Sequence, residues 1–345
     1  MPTIKQITAH LESIAPTSYQ ESYDNAGLIT GDPAWEAKAA VICLDATEEV
    51  IDEAISLGCN MVIAHHPIVF RGLKKLNGKN YVERAVIKAI KNDVAIYAIH
   101  TNLDNVYHRG VNSKIAETLA LENTRILAPK KLAKKLNAYI PAAAVNGLLT
   151  ALPKAGATNV NYSSENQVFI DKNETIHEGK KLEVTFAAGL QPLIVSLVKQ
   201  HAPDAYLEVQ QLENTCADIG SGLIGDLPEA MEEKGFLQNL KKVMKTGCVR
   251  HTRLLGKPVK TVAVCGGAGS FLLPHALRQK ADVFVSGDFK YHEFFDADGQ
   301  LVIADIGHFE SEQFTIELLG EIISGKFPTF ALHFTKTTTN PVNYL

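Results

Sequence analysis

No run of apolar residues in this chain approaches the ~20 that a membrane-crossing helix needs. The opening residues, Met1-Pro-Thr-Ile-Lys-Gln, carry no basic stretch followed by an apolar core, so no secretory signal is expected. A basic excess is missing too. Thirty-four Lys and Arg against 38 Asp and Glu leave a net charge of −4. Proteins that coat nucleic acid by neutralising phosphates usually show the reverse balance. Such a coating role is therefore not expected, although a local patch stays open. Cysteine is scarce: Cys43, Cys59, Cys216, Cys248 and Cys265 make an odd set with no Cys-x-x-Cys pair. Buried thiols in a reduced, cytoplasmic protein are expected, not a disulfide framework. Also absent are a Gly-x-Ser-x-Gly elbow and a complete Walker or dinucleotide fingerprint.

What remains is ordinary globular composition, 46% hydrophobic and 21% charged, which excludes disorder and fibrous architectures. A length of 345 residues is more than one compact domain usually holds, so two are expected. The apolar spacing predicts a helix over Thr3 to Ile14, then a turn-rich loop from Ser22 to Pro33. Strands at 39–44, 60–64 and 94–99 alternate with helices at 48–57 and 81–91. Strands that are apolar throughout and alternate with helices imply parallel pairing with helices on both faces.

The same grammar returns near the end, with strands at 260–265, 282–286, 301–306 and 330–335 and helices at 272–280 and 310–323. Cys43 precedes His65 by 22 residues and Cys265 precedes Gly287 by 22. This is a weak internal repeat: two similar α/β half-sheets facing one site. Between them, Leu127-Ala-Pro-Lys-Lys-Leu-Ala-Lys-Lys135 reads as a solvated basic bridge. The β-α-β-β-α-β order that follows, from strand 136–141 to strand 206–212, is the ferredoxin-like pattern. The expected organisation is a core of residues 1–128 and 216–345 with a ferredoxin-like α+β domain, 129–215, inserted in a surface loop.

Five chemically versatile residues fall where strands end. His65 and His66 close the strand Met61-Val-Ile-Ala-His-His. Asp104 follows the next strand in Ile99-His-Thr-Asn-Leu-Asp. His308 and Glu312 lie four apart after Ile306, a spacing that puts both on one face of a helix. Open parallel sheets bind ligands outside the carboxyl ends of their strands. Three imidazoles and two carboxylates suit a first-row divalent ion such as Zn²⁺, Mn²⁺, Fe²⁺ or Ni²⁺, or two ions bridged by a carboxylate. Each residue alone has a plainer reading: a strand-end loop, an Asx turn or helix cap, a helix-surface pair. Their joint placement is what sets a metal site beside those readings. Gly266-Gly-Ala-Gly269-Ser270 reads as an anion cradle or a tight turn. His292 is a candidate acid/base group reaching the cleft, or a histidine at a helix start. Asp24 and Asn25 line the cleft or fix their own turn.

The run Asp24-Asn-Ala-Gly-Leu-Ile-Thr-Gly-Asp32, the His65-His-Pro67 strand end, His100-Thr-Asn-Leu-Asp104, Gly287-Asp288 ahead of His292, and Gly307-His308 with Glu312 resemble the GTP cyclohydrolase 1 type 2 homologue family, also called the Ngg-interacting-factor-like family. The resemblance covers nearly the whole chain outside the insert. It implies two divalent metal ions per chain on His65, His66, Asp104, His308 and Glu312. One ion would sit on His66 and Asp104, the other on His65 and His308, with Glu312 bridging. It also implies that the insert is related to the PII and CutA proteins, and that the protein forms a toroidal homohexamer. The implied activity is metal-dependent hydrolysis of a nucleotide-like or phosphorylated, anionic small molecule. A metal carrier and a regulatory interaction scaffold without turnover are the other readings. No membrane partner is expected, and the charge balance argues against nucleic acid.

Overall fold

The structure, a computed structural model, describes residues 1–170 and 176–345. It divides into two compact units, residues 1–128 with 217–345, and residues 129–216. The strands of the first stretch are β1 (Gly27–Thr30), β2 (Ala39–Asp45), β3 (Met61–His66), β4 (Ala95–Ala98) and β5 (Glu122–Pro129). The next are β6 (Ala133–Ile140), β7 (Asn159–Tyr162), β8 (Gln167–Ile170), β9 (Ile176–Ala187) and β10 (Tyr206–Gln211). The last are β11 (Gly220–Met231), β12 (Arg250–His251), β13 (Val259–Ala268), β14 (Val283–Gly287), β15 (Val302–Asp305) and β16 (Ala331–Phe334).

The larger unit holds two sheets. One has the order β1-β4-β3-β2-β16, the other β12-β15-β14-β13-β11-β5. In the first, β4, β3, β2 and β16 are parallel and β1 is an antiparallel edge. In the second, β13, β14 and β15 are parallel and flanked by antiparallel β11 and β12. The parallel triplets β2-β3-β4 and β13-β14-β15 are the structural counterpart of the 22-residue spacing.

Side chains that alternate across each strand serve two cores at once. Along β2, Ala40 and Ile42 enter a core that both sheets share, whereas Val41 and Cys43 enter a separate outer cluster. Along β13, Val262 and Val264 enter the shared core, and Ala263 and Cys265 another outer cluster. Helices Ile4–Ile14, Val111–Thr118, Glu233–Val243 and Thr315–Lys326 contribute to the shared core. Helices Glu48–Ser56 and Tyr81–Lys91 cover the outer face of the first sheet, and Leu273–Arg278 that of the second. All five cysteines are free thiols. No helix among the described residues is long and apolar enough to cross a membrane.

Several boundaries differ from the sequence expectation. The turn-rich loop contains β1, because Gly27 and Leu28 pair with Ala98 and Tyr97. The expected helix 310–323 is two helices, His308–Glu312 and Thr315–Lys326. The basic bridge is strand at both ends, since β5 runs to Pro129 and β6 starts at Ala133. Lys134 and Lys135 keep their ammonium groups outside the ladder, on Gln191 and Glu183. β13 continues through Gly266 and Gly267 to Ala268, so the first part of the glycine run is strand, and Gly269 starts the tight turn of Ser270–Leu272, where the Leu272 amide donates to the Gly269 carbonyl at 2.9 Å.

The smaller unit follows the order β6, helix Val145–Lys154, β7, β8, β9, helix Gln191–His201, β10. Its sheet order is β10-β6-β9-β7, antiparallel throughout, with β8 paired to β9. Leu136, Leu148, Val184, Ile194 and Val198 belong to its own core. Between Tyr162 and Lys181, where the sequence predicts a polar loop, the described residues include β8 and the first part of β9, and residues 171–175 lie outside the described residues.

Candidate metal centre

Strand ends bring the donors together. His65 and His66 are the last residues of β3. Their side chains would point to opposite faces of a flat strand, but here both rings turn to one place, with centroids 4.9 Å apart. Asp104 ends the one-turn helix Thr101–Asp104 that follows β4. His308 and Glu312 open and close the short helix after β15. Gly307 makes that junction with φ +93°, a backbone conformation that favours glycine.

His66 Nε2 lies 2.9 Å from Glu312 Oε2 and 3.3 Å from His308 Nε2, and that nitrogen lies 3.2 Å from the same carboxylate oxygen. His65 Nε2 lies 3.5 Å from Asp104 Oδ1 and 3.8 Å from Glu312 Oε1. Both distances are too long for hydrogen bonds. They are close to the separation of two donors that each sit ~2.0–2.1 Å from one ion at a tetrahedral angle. His65 Nε2 and Asp104 Oδ1 are buried and have no hydrogen-bond partner among the described residues. Buried polar atoms are rarely left so. His65, His66 and Glu312 form a set with metal-ligand spacing, their ligand atoms all within 4.8 Å of one another.

The other ring nitrogen of each histidine is spoken for. His65 Nδ1 donates to the Ile99 carbonyl at 2.8 Å, His66 Nδ1 to Asp45 at 2.8 Å and His308 Nδ1 to Asp288 at 2.7 Å. Each bond fixes the tautomer and leaves Nε2 as the donor atom that faces the centre, the usual second layer of a histidine metal site. A fourth ring, His100, stands 5.4 Å from His65 and 5.3 Å from His66, centroid to centroid. Its Nδ1 is held by Asp24 at 2.8 Å. Thr101 donates to the same carboxylate through its amide and its hydroxyl.

The electrostatics follow from crowding. Burial opposes charge on His66, but its bonds to Asp45 and Glu312 outweigh burial and hold the ring at about 10. On His308, Glu312 and Asp288 likewise overcome burial and raise it to about 11. His65, fully enclosed, is pushed down by burial. Burial and the neighbouring Glu312 push Asp104 well up. For Glu312 burial is overridden by His308 and the other two rings, which hold it well down. For Asp24 the bonds from His100 and Thr101 override burial and bring it to about 2. A site that leaves one carboxyl raised and crowds three imidazoles around another is one that a divalent cation would relieve. The donor set fits such an ion.

The centre opens into a cavity of about 1170 Å³ whose lining includes His66, Asp104, His308 and Glu312. Exposed aromatic rings, Tyr23, Phe70, Tyr81 and Phe271, are part of the wall. The structure brings all five expected ligand candidates to one place. It does not bring His292 there: that side chain is exposed, packs on Tyr291 and Phe295, and is not part of the cavity wall. Asp24 does reach the centre, through His100. The distances also group the donors differently from the pairing that the resemblance implied. His65 Nε2 stands with Asp104, at 3.5 Å, and His66 Nε2 with His308 Nε2, at 3.3 Å. Sequence patterning does not single out Asp45, Asp288 and His100 as site groups, yet Asp45 ends β2 and Asp288 follows β14. The strand-end rule that finds the five would find these too. Gly267, with φ +64°, carries no side chain where a Cβ would overlap Glu312 Oε1 and stand 3.2 Å from His308 Cε1.

Residues 2–341 match the family model described as Duf34/NIF3 (NGG1p interacting factor 3). A Bacillus subtilis protein named GTP cyclohydrolase 1 type 2 homolog is 33% identical, over 99% of this chain and 98% of its own length. A relative of the same name from Halalkalibacterium halodurans is 35% identical over 86% of both chains. A crystal structure described as a Bacillus cereus protein related to NIF3 superposes with a TM-score of 0.75 at 32% identity, covering 100% of this chain and 99% of that one.

Proposed function

The chain belongs to the Duf34/NIF3 family, and we propose that it is a dinuclear metal protein that hydrolyses a nucleotide-like or phosphorylated small molecule. The observation that carries this reading is the convergence of three histidine Nε2 atoms and two carboxylates, each imidazole locked by its Nδ1 bond. One ion would be held by His65, Asp104 and Glu312 Oε1, the other by His66, His308 and Glu312 Oε2. Two divalent ions held so would supply Lewis acidity and a water ionised near neutral pH. The protein's own residues do the rest. Glu312 spans both positions, and Asp45 and Asp288 keep two rings aimed. Two cations against two carboxylates leave a residual charge of about +2, which favours an anionic ligand. The cavity is large enough for a drug-sized molecule. The name of the curated relatives supports a nucleotide over other anions.

The same premise supports the finer organisation. We read residues 129–215 as an inserted ferredoxin-like domain of the PII/CutA type and residues 1–128 and 216–345 as the halves of the core. The strand order of the smaller unit supports this. A cytoplasmic toroidal homohexamer follows from the resemblance, and the free thiols support a reducing compartment.

Elemental analysis of the purified protein beside a His65→Ala/His66→Ala double variant tests the centre. About two metals per chain against fewer than one is expected. A nucleotide panel then separates hydrolase from carrier. Turnover by wild type that vanishes in a folded Glu312→Ala variant supports the enzyme. Tight, exchangeable metal with no product from any nucleotide favours the carrier.

A further inference from the structure

The histidines of the centre are not all anchored in the same way. His65 leans on a backbone carbonyl, that of Ile99. His100 leans on Asp24, whose other oxygen is fixed by Thr101. His66 depends on Asp45, whose side chain is 35% exposed. Asp45 Oδ1 takes the His66 ring. Its other oxygen, Oδ2, accepts the hydroxyl of Thr339 at 2.7 Å. Thr339 belongs to no strand or helix. It lies in the segment that follows β16.

That segment is fastened at three places. Glu53, on helix Glu48–Ser56, accepts the Thr335 hydroxyl at 2.6 Å, the Lys336 amide at 2.8 Å and the Thr337 hydroxyl at 3.0 Å. Asp45 then takes Thr339. Asn340 Nδ2 donates to Glu310 Oε1 at 3.1 Å, on the short helix that carries His308 and Glu312. Thr339, Asn340 and Tyr344 form part of the cavity wall. The segment therefore runs from the first sheet to the helix of the second, over the place where the donors meet.

We propose that Thr335–Tyr344 is part of the metal centre, with Thr339 the positioning residue that aims His66 through Asp45. This rests on the dinuclear reading above. The hydroxyl of Thr339 holds one edge of the Asp45 carboxylate, and that holds the tautomer and tilt of His66. Without it, a carboxylate open to solvent can rotate away and leave His66 Nδ1 to water. Groups that orient a ligand in this way change metal affinity by about 10–100-fold when removed. Asn340 does the corresponding work for the helix that bears His308 and Glu312.

The experiment titrates chelator-stripped protein with Zn²⁺ in competition with a chromogenic chelator. Wild type, Thr339→Val, Thr339→Ser and a chain ending at Thr338 are compared, and the unfolding midpoint of each stripped protein is measured alongside. Thr339→Val and the shortened chain are expected to bind one of two zinc ions about tenfold or more weakly. Thr339→Ser, which keeps the hydroxyl, is expected to restore wild-type affinity, and the stripped midpoints should stay together. Wild-type zinc affinity in both Thr339→Val and the shortened chain would overturn the role of the segment while leaving the metal centre intact. Failure of wild type itself to hold two zinc ions would overturn the dinuclear reading instead.

Discussion

Gly267 shows how closely the centre is built around single atoms. Its φ of +64° and its nearness to Glu312 and His308 are two separate demands, and a control can part them. Gly299 has nearly the same backbone angle, φ +65°, with nothing among the described residues within 4 Å of the place a Cβ would occupy. Gly299→Ala is therefore expected to cost only the backbone strain, about 1–3 kcal/mol. Gly267→Ala should cost that and also displace the Glu312 carboxylate. Thermal unfolding should show both variants destabilised, and metal content should fall in Gly267→Ala alone. The residue scale also sets a proton balance. With His66 at about 10 and His308 at about 11, both rings of chelator-stripped protein hold protons at neutral pH. A metal must displace them, so binding releases protons and tightens as pH rises from about 6 to about 9. Calorimetry in two buffers of different ionisation enthalpy reads the number released. Stability of the stripped protein moves in the opposite direction. A raised histidine pKa stabilises it fully below the ordinary value near 6.5, and that contribution is lost as pH climbs through about 10.

At the scale of elements, the ends matter more than the lengths. Asp305 ends β15 and is almost fully buried. It accepts the amides of Phe289 and Gly307, each at 2.9 Å, and the guanidinium of Arg250. It thereby sets the turn into the helix of His308 and Glu312. Asn80 caps helix Tyr81–Lys91 by accepting the Glu83 amide at 2.9 Å, away from the donors. Asp305→Asn is expected to cost about 1–3 kcal/mol through one orphaned donor and to lower metal content. Asn80→Ala should cost about 1 kcal/mol and leave metal content unchanged. Denaturant unfolding and elemental analysis on the same samples check both. The same contrast between ends and lengths governs what is legible in the sequence. Strands β2, β3, β14 and β15 are readable because they are apolar on both faces, and His65, His66, His308 and Glu312 stand out as polar residues where such runs stop. β11 and β5 are not readable, because Gly220–Met231 and Glu122–Pro129 mix apolar and polar residues without a clean period. β13 reads too short, because two glycines end a propensity pattern but not a ladder that needs room for a carboxylate. Asp45 and Asp288 stand at strand ends as well and are legible by the same rule as positions, but their task, holding a ring from behind, exists only in three dimensions.

At the scale of the whole molecule, the chain leaves the larger unit at Ala128 and returns at Ala217. The excursion starts and ends at one spot: the Cys216 amide donates to the Lys130 carbonyl at 2.8 Å, and the Leu212 amide to the Ala133 carbonyl at 2.9 Å. Two chain ends so close can be rejoined by a short turn at small entropic cost. The smaller unit has its own hydrophobic cluster, and its size is within the range of domains that fold alone. All five donor residues, and the Asp45, Asp288 and Thr339 that position them, lie in the larger unit. A chain in which residues 131–215 are replaced by a short Gly/Ser turn is therefore expected to fold and to carry the same metal per chain as wild type. Residues 129–216 expressed separately should show cooperative unfolding by circular dichroism. Loss of metal from a folded, shortened chain would mean that the smaller unit contributes to the centre after all. Retention would make it a module added to a metal protein complete without it, and would direct the search for its ligand away from the metals.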